Sequence, residues 1–259
     1  RKGQGGGLGT QAVGLAIRVP GALQGARRMT LSELAARLEL PPSTVHGIAR
    51  TLVDHGMVVQ ERGFGRYQLG PAVLRLGNVY LDTLELRSKA IPWAEDLARR
   101  TGCSVRTGVL LLDDVVIIHH EPRPDGSRQM PEVGIVIPAH ASALGKAILA
   151  FDDDAASRML STSPLRSMTG ETITSPVDLK EQLADISSTG IAEEQEEAGL
   201  GECSLAGPVF DSSGTPGGPN GLVVHSPLSP LDPATPHPVP DAPHTDHGTA
   251  GAGSRARPR

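Results

Sequence analysis

The chain has 259 residues and 27.0 kDa, room for one large domain or two modest ones. It is 38% hydrophobic but only 2% aromatic, so its core must be aliphatic, and no apolar run reaches the ~18–20 residues that a membrane-spanning helix needs. The net charge of -5 is unevenly placed: residues 1–70 carry 9 Lys and Arg against 4 Asp and Glu, and residues 71–216 carry 12 against 22, so a basic module able to meet phosphates precedes an acidic one that repels them.

In chain order, the Gly-rich start through Thr10 has no apolar stretch of the secretory kind, and a reducing cytoplasm is expected. Val13, Leu15, Ala16, Ile17 and Val19 begin a helical pattern that Pro20-Gly21 is expected to interrupt, since proline inside a helix costs about 3 kcal/mol or more. From Thr30 the pattern is helical again: Thr30 is a plausible N-cap, Glu33 stands three residues on, and Leu31, Leu34, Ala35 and Leu38 share a face. Pro41 and Pro42 end that helix. Ser43 is expected to cap a second one, with Val45, Ile48, Ala49 and Leu52 as its apolar positions and Gly56 as its stop. Two short helices around a tight turn make a helix-turn-helix. Strand-like Met57–Glu61 and Tyr67–Leu69 then flank the basic tip Arg62-Gly-Phe-Gly-Arg66, which reads as a wing. Residues 11–70 are therefore expected to form a winged helix that binds DNA.

A third helical pattern, Ala72–Ser88, is expected to link the modules over residues 71–90, and Pro92 to open a further helix through Trp93, Leu97 and Ala98 that ends near Gly102. Strands are expected at Val105–Leu112 and Val115–His119 around an Asp113-Asp114 turn, at Val133–Ile137 and at Leu205–Phe210. Helices are expected at Ala143–Phe151, Ala155–Leu160 and Leu179–Thr189. This is an α+β pattern, an antiparallel sheet with helices packed on it, and it lacks a glycine-rich phosphate loop. From residue 217 on, nine prolines, six glycines and four histidines, with almost no apolar period after Val224, predict disorder. The sensor domain is accordingly bounded at 91–224 and a disordered tail at 225–259.

No catalytic residue, cofactor or metal is expected. His119, His120, Glu121, Asp113 and Asp114 cluster in sequence, yet strand alternation sends His119 and His120 to opposite faces. Cys103 and Cys203 show neither a disulfide framework nor a nucleophile signature. His225, His237, His244 and His247 in the tail carry no functional weight.

The stretches Thr30–Leu52, Gly65-Arg-Tyr-Gln-Leu-Gly70 and His140-Ala-Ser-Ala-Leu-Gly-Lys-Ala147 resemble the IclR family of bacterial transcriptional regulators. The likeness runs from about residue 11 to about 216, with Thr172-Ile-Thr174, Gly190, the acidic run Glu193–Glu197 and Gly207-Pro-Val-Phe-Asp211 in family order. A narrower likeness, to glycerol-operon regulators of actinomycetes, is carried by Leu74-Arg-Leu-Gly77, Tyr80-Leu-Asp82, Glu85-Leu-Arg87, His119-His120 and Arg123–Gln129. The resemblance implies an N-terminal winged helix-turn-helix, a linker helix and a C-terminal GAF-like effector-binding domain, here without the family's terminal helix. It also implies a homodimer or homotetramer that represses a catabolic operon on a double-stranded DNA operator, with glycerol 3-phosphate or a related polyol metabolite as signal.

On DNA, the second helix of the motif would present Ser43, Thr44, His46, Gly47 and Arg50 to base edges. Arg50 suits a bidentate contact to guanine, Gly47 permits close approach, and Arg62 and Arg66 reach phosphates or the minor groove. For the effector, the start of the helix at Ala143 is expected to turn backbone N–H groups outward toward an anion. By resemblance, Ala143, Leu144, Ile137 and Gln129 line the pocket, Glu194 is its carboxylate and Ser204, rather than Cys203, its hydroxyl. Glu194 would accept hydrogen bonds from a polyol while Arg128 or Lys146 answers a phosphate. The rest of Glu193–Glu197 reads as a solvated face. Two rival readings are an impaired copy, in which the sequence after Pro216 has departed from the family, and a sensor that acts through protein contacts alone.

Overall fold

The computed structural model describes residues 6–209 and 220–226. It divides into two compact units, Arg1–Leu84 and Glu85–Arg259. Among the described residues no helix is long and apolar enough to cross a membrane.

The first unit contains α1 (Gly6–Ala26), α2 (Leu31–Leu38), α3 (Pro42–Asp54), the hairpin β1 (Val58–Gln60) and β2 (Tyr67–Leu69), and α4 (Pro71–Thr83). Its core joins Val19 and Leu23 of α1, Leu34 and Leu38 of α2, Val45 and Ala49 of α3, Val58 and Tyr67. Thr30 begins α2 with a complete capping box: the Glu33 N–H donates to Thr30 Oγ1 at 3.2 Å, and the Thr30 N–H donates to Glu33 Oε2 at 2.7 Å. Glu39, at φ +56°, ends α2 in the left-handed region.

Four local expectations are corrected. Helix α1 runs through Pro20 without interruption. The residues on either side explain why: Val19 and Leu23 are buried in the unit's core, and Arg18 donates to the Leu38 carbonyl at 2.9 Å, so tertiary contacts hold the helix across the proline. Burial of each such aliphatic side chain stabilises by about 1.5–3 kcal/mol, enough to offset the proline's cost. Ser43 does not cap α3, which starts one residue earlier with Pro42 in its first turn, Pro41 at the cap position and no side-chain cap bond. The helix expected over 72–88 stops at Thr83, where Leu84 turns extended; α5 then runs Glu85–Thr101 with Pro92 inside it rather than opening it.

The second unit is built on β3 (Ser104–Leu111), β4 (Asp114–Glu121), β5 (Val136–Pro138), β6 (Ala192–Gln195), β7 (Cys203–Pro208) and β8 (Asn220–Ser226), with α6 (Ala143–Leu149), α7 (Asp153–Leu160) and α8 (Pro176–Thr189). The strands form one antiparallel sheet in the order β5-β4-β3-β8-β7-β6. Ala94, Leu97 and Ala98 of α5 cluster with Val105 on one face. A larger cluster around α6 takes in Val115, Leu144, Ile148, Met159, Leu179 and Ala206 on the other. Gly108 shows how closely α6 approaches: a Cβ there would lie 2.4 Å from the Leu144 side chain.

The disorder expected from residue 217 is overturned at β8, which lies between β3 and β7. Its Gly-Leu-Val-Val run is short and embedded in Pro- and Gly-rich sequence, so composition outweighs it in any window. His225 accordingly belongs to a strand and not to the tail. The remainder of the expected tail, 227–259, lies outside the described residues.

Candidate functional site

Helix α3 turns Val45 and Ala49 into the core and leaves Ser43, Thr44, His46, Gly47 and Arg50 exposed. The 3.6-residue period places positions 43, 46, 47 and 50 on one outward face. A Cβ at Gly47 would meet nothing within 4 Å, so the glycine leaves that face open. A cleft of about 280 Å³, lined by His46, Arg50, Val53, Gln60 and Tyr67, lies between α3 and the hairpin.

The hairpin is a tightly held wing. Gln60 pairs with Tyr67, the Glu61 N–H donates to the Arg66 carbonyl at 2.7 Å, and the Gly65 N–H donates to the Glu61 carbonyl at 3.2 Å. Tyr67 also exchanges backbone bonds with Met29, fixing the wing to the segment before α2. At its foot, a Cβ on Gly70 would fall 2.1 Å from the Gly56 carbonyl oxygen, so only glycine lets β2 close on the end of α3. Arg62 and Arg66 are both exposed. The surface thus combines a helix face rich in hydroxyl, imidazole and guanidinium groups with a basic loop beside it.

In the second unit, Glu194 and Ser204 face each other across β6 and β7. Ser204 Oγ donates to Glu194 Oε2 at 2.8 Å, and the Glu197 and Ala198 N–H groups donate to Oε1 at 2.7 and 3.2 Å. Burial holds the Glu194 carboxyl above the ordinary carboxylate range, against the pull of these donors. Cys203 pairs with Gln195 instead, and burial pushes its thiol up, the wrong direction for a nucleophile.

Lys146 is 0% exposed and ion-paired with Glu197. Burial lowers its pKa, while Glu197 and then Glu194 oppose the change. The expectation that Lys146 answers a phosphate is therefore corrected, because its ammonium is already committed to a buried carboxylate. The acidic run is corrected with it: Glu193 and Gln195 are exposed, but Glu197 is buried. The run is also braced from the loop before α8, where Thr172 Oγ1 donates to the Glu197 carbonyl and Thr169 Oγ1 to the Glu196 carbonyl, each at 2.7 Å.

The start of α6 is not turned outward as expected. All seven of its residues are buried, Ser142 Oγ accepts the Gly145 N–H at 3.1 Å, and a Cβ on Gly145 would lie 2.2 Å from the Ala139 carbonyl oxygen. Ala143 and Leu144 sit in the apolar cluster. Ile137, half-buried, pairs with Val115. Gln129 closes its own loop, its Oε1 accepting from the Arg123 N–H at 3.0 Å and its Nε2 donating to Ser127 Oγ at 3.2 Å; Arg128 beside it is exposed.

Glu197 was one omission from the sequence reading, and Arg106 is another. This buried guanidinium is ion-paired with Glu132 and lies 3.9 Å from Glu202, and it sits opposite His120, whose Nε2 is 3.8 Å from Glu132. Arginine in the middle of the apolar run Ser104–Leu111 was the available signal. By strand alternation Arg106 shares the α6-facing side of β3 with Ser104 and Gly108. In backbone register, Ser104 pairs with His225 of β8, His225 with Ser204 of β7, and Ser204 with Glu194 of β6. His119 is separate, opposite Thr107 and 3.8 Å from Glu121.

A family model described as the IclR helix-turn-helix domain matches residues 16–62, and one described as bacterial transcriptional regulator IclR C-terminal matches residues 78–219. The glycerol operon regulatory protein of Streptomyces coelicolor is 44% identical over 199 residues, covering 76% of this chain and 78% of that protein. Its namesake in Streptomyces griseus is 46% identical over 187 residues, covering 72% and 73%. Among solved structures, an IclR transcriptional regulator from Alicyclobacillus acidocaldarius superposes with a TM-score of 0.71 at 28% identity, covering 83% of this chain and 87% of that one. The outward face of α3, the basic wing and the mixed sheet-and-helix second unit thus belong to a DNA-binding regulator and not to an enzyme: the chain is a member of the IclR family of bacterial transcriptional regulators.

Proposed function

We propose that the chain represses a catabolic operon of the glycerol-utilisation kind. It acts in the cytoplasm as a homodimer or homotetramer on paired half-sites of double-stranded DNA, and a small metabolite such as glycerol 3-phosphate alters that binding. The observation that carries the reading is the exposed polar face of α3 beside a basic wing; the names of the Streptomyces relatives support the choice of operon.

In this reading residues 11–70 read DNA, 71–90 link and 91–224 sense. Arg50 makes a bidentate contact to guanine, Ser43, Thr44 and His46 meet base edges or phosphates, Gly47 allows close approach, and Arg62 and Arg66 hold the backbone. Glu194 and Ser204 receive the hydroxyls of the metabolite, Ala143, Leu144 and Ile137 give the apolar wall, and Arg128 and Gln129 answer its anionic end. Lys146 acts through Glu197, fixing the turn after Glu194.

The test is fluorescence anisotropy on DNA from upstream of the chain's own gene and from an adjacent glycerol operon, with unrelated competitor, at several salt concentrations. Selective binding that weakens steeply with salt and shifts with glycerol 3-phosphate is expected. Selective binding indifferent to glycerol 3-phosphate would remove that effector and keep the regulator. A folded chain that binds no such DNA selectively would overturn the reading.

A further inference from the structure

The apex of the wing carries an aromatic side chain to which the DNA-reading assignment above gives no task. Phe64 is 77% exposed although the whole chain has only three phenylalanines. Its neighbours Gly63 and Gly65 stand at φ +99° and +62°, leaving the backbone bare on both sides of the ring. The loop beneath is braced: besides the Glu61–Arg66 and Gly65–Glu61 backbone bonds, Gln60 Nε2 donates to the Gly65 carbonyl at 3.4 Å. Phe64 is therefore presented on a closed turn, flanked by exposed Arg62 and Arg66.

The cleft between α3 and the wing supplies the geometry. In a B-form duplex a single sugar–phosphate backbone separates the major groove from the adjacent minor groove. With α3 in the major groove and Arg50 on a base edge, that backbone would pass between the helix and the hairpin, on the side of the cleft where Gln60 stands, and the apex beyond it would reach the minor groove. We propose that Phe64 is a wedge that enters the minor groove there and partly unstacks one base step, kinking the duplex. The proposal rests on the DNA-reading assignment. Apolar side chains inserted from the minor groove act in this way, and the two arginines hold the apex where the potential is most negative. The same charges favour nucleic acid over an apolar protein surface as the occupant. A wedge selects for steps that unstack easily, such as TA and CA, at a position read without base-edge hydrogen bonds.

The experiment begins with a duplex selected from a random library by the full chain. Affinity, salt dependence and bending, read by energy transfer between end labels, are then compared for the wild type, Phe64→Ala, Phe64→Leu, Arg66→Ala and Arg50→Ala. Phe64→Ala is expected to weaken binding about tenfold or more, to straighten the duplex and to leave the salt slope unchanged. Phe64→Leu should keep most of the bend, and Arg66→Ala should lower the salt slope by about one. Circular dichroism should show Phe64→Ala folded, since the ring packs on nothing in the core. If Phe64→Ala binds and bends like the wild type while Arg50→Ala loses binding, the wedge falls and the DNA reading stands. If the wild type selects no duplex, both fall.

Discussion

Burying Lys146 and Glu197 together makes each dependent on the other. Lys146→Met leaves a buried carboxylate without its counter-charge and should destabilise the second unit by about 3–5 kcal/mol. The double variant Lys146→Met, Glu197→Leu should recover most of that loss, because a buried ion pair is often no better than an apolar pair of similar volume. Urea denaturation of the two variants checks this; equal instability in both would mean that the pair's charges are not what stabilises the site. Half of this pair was legible. Lys146 stood out inside a helix start, whereas Glu197 was hidden in Glu-Glu-Gln-Glu-Glu, a pattern that reads as solvated until the strand's end turns one member inward. Glu194 and Ser204 were placed by resemblance to the family, and their hydrogen bond follows from a register that sequence alone does not give.

Among the elements, local signals were reliable wherever the chain's own neighbours decide the outcome. The Thr30–Glu33 capping box formed as its spacing implied, and Thr30→Ala should cost about 1 kcal/mol, measured as a shift in the urea midpoint of the first unit. They failed where distant residues decide. Pro20 reads as a break because proline is the worst local choice, yet Val19, Leu23 and the bond from Arg18 to Leu38 hold α1 together around it. Pro20→Ala should therefore stabilise that unit by up to about 3 kcal/mol. A loss of stability instead would show that the surrounding packing needs the proline ring. Gly47 gives a cleaner case. Its surroundings are open, so Gly47→Ala should gain roughly 0.5–1 kcal/mol of stability. If the glycine serves close approach to DNA, the same variant will bind operator more weakly, and paired melting and anisotropy measurements separate the two effects.

For the molecule as a whole, the histidines set a pH response. Burial, with Arg87 and His120 beside it, holds His119 below its ordinary value of 6.5, against the opposing charge of Glu95. Burial also lowers His120; Glu132 and Glu121 oppose that change and Arg106 adds to it. The unfolded chain therefore takes up these protons first as pH falls, so stability present at neutrality is lost below the ordinary histidine value. Urea midpoints of the second unit should fall as acid is added through that range, and His119→Gln with His120→Gln should flatten the decline. The two-unit plan and most strands were legible because helical and strand periods are written in adjacent residues. Strand β8 was not, since its partners Ser104–Val109 and Cys203–Pro208 are remote in sequence and its own composition is poor. That arrangement bears on how the protein is made. Until the ribosome has released Asn220–Ser226, the β5-β4-β3 and β7-β6 portions have no strand to join them, whereas every element of the first unit is complete by Thr83. During synthesis the DNA-binding unit can fold while the second unit is still open, with the edges of β3 and β7 bare to other nascent chains and to chaperones. A premature stop before residue 220 would thus leave the second unit's sheet in two pieces behind an intact winged helix.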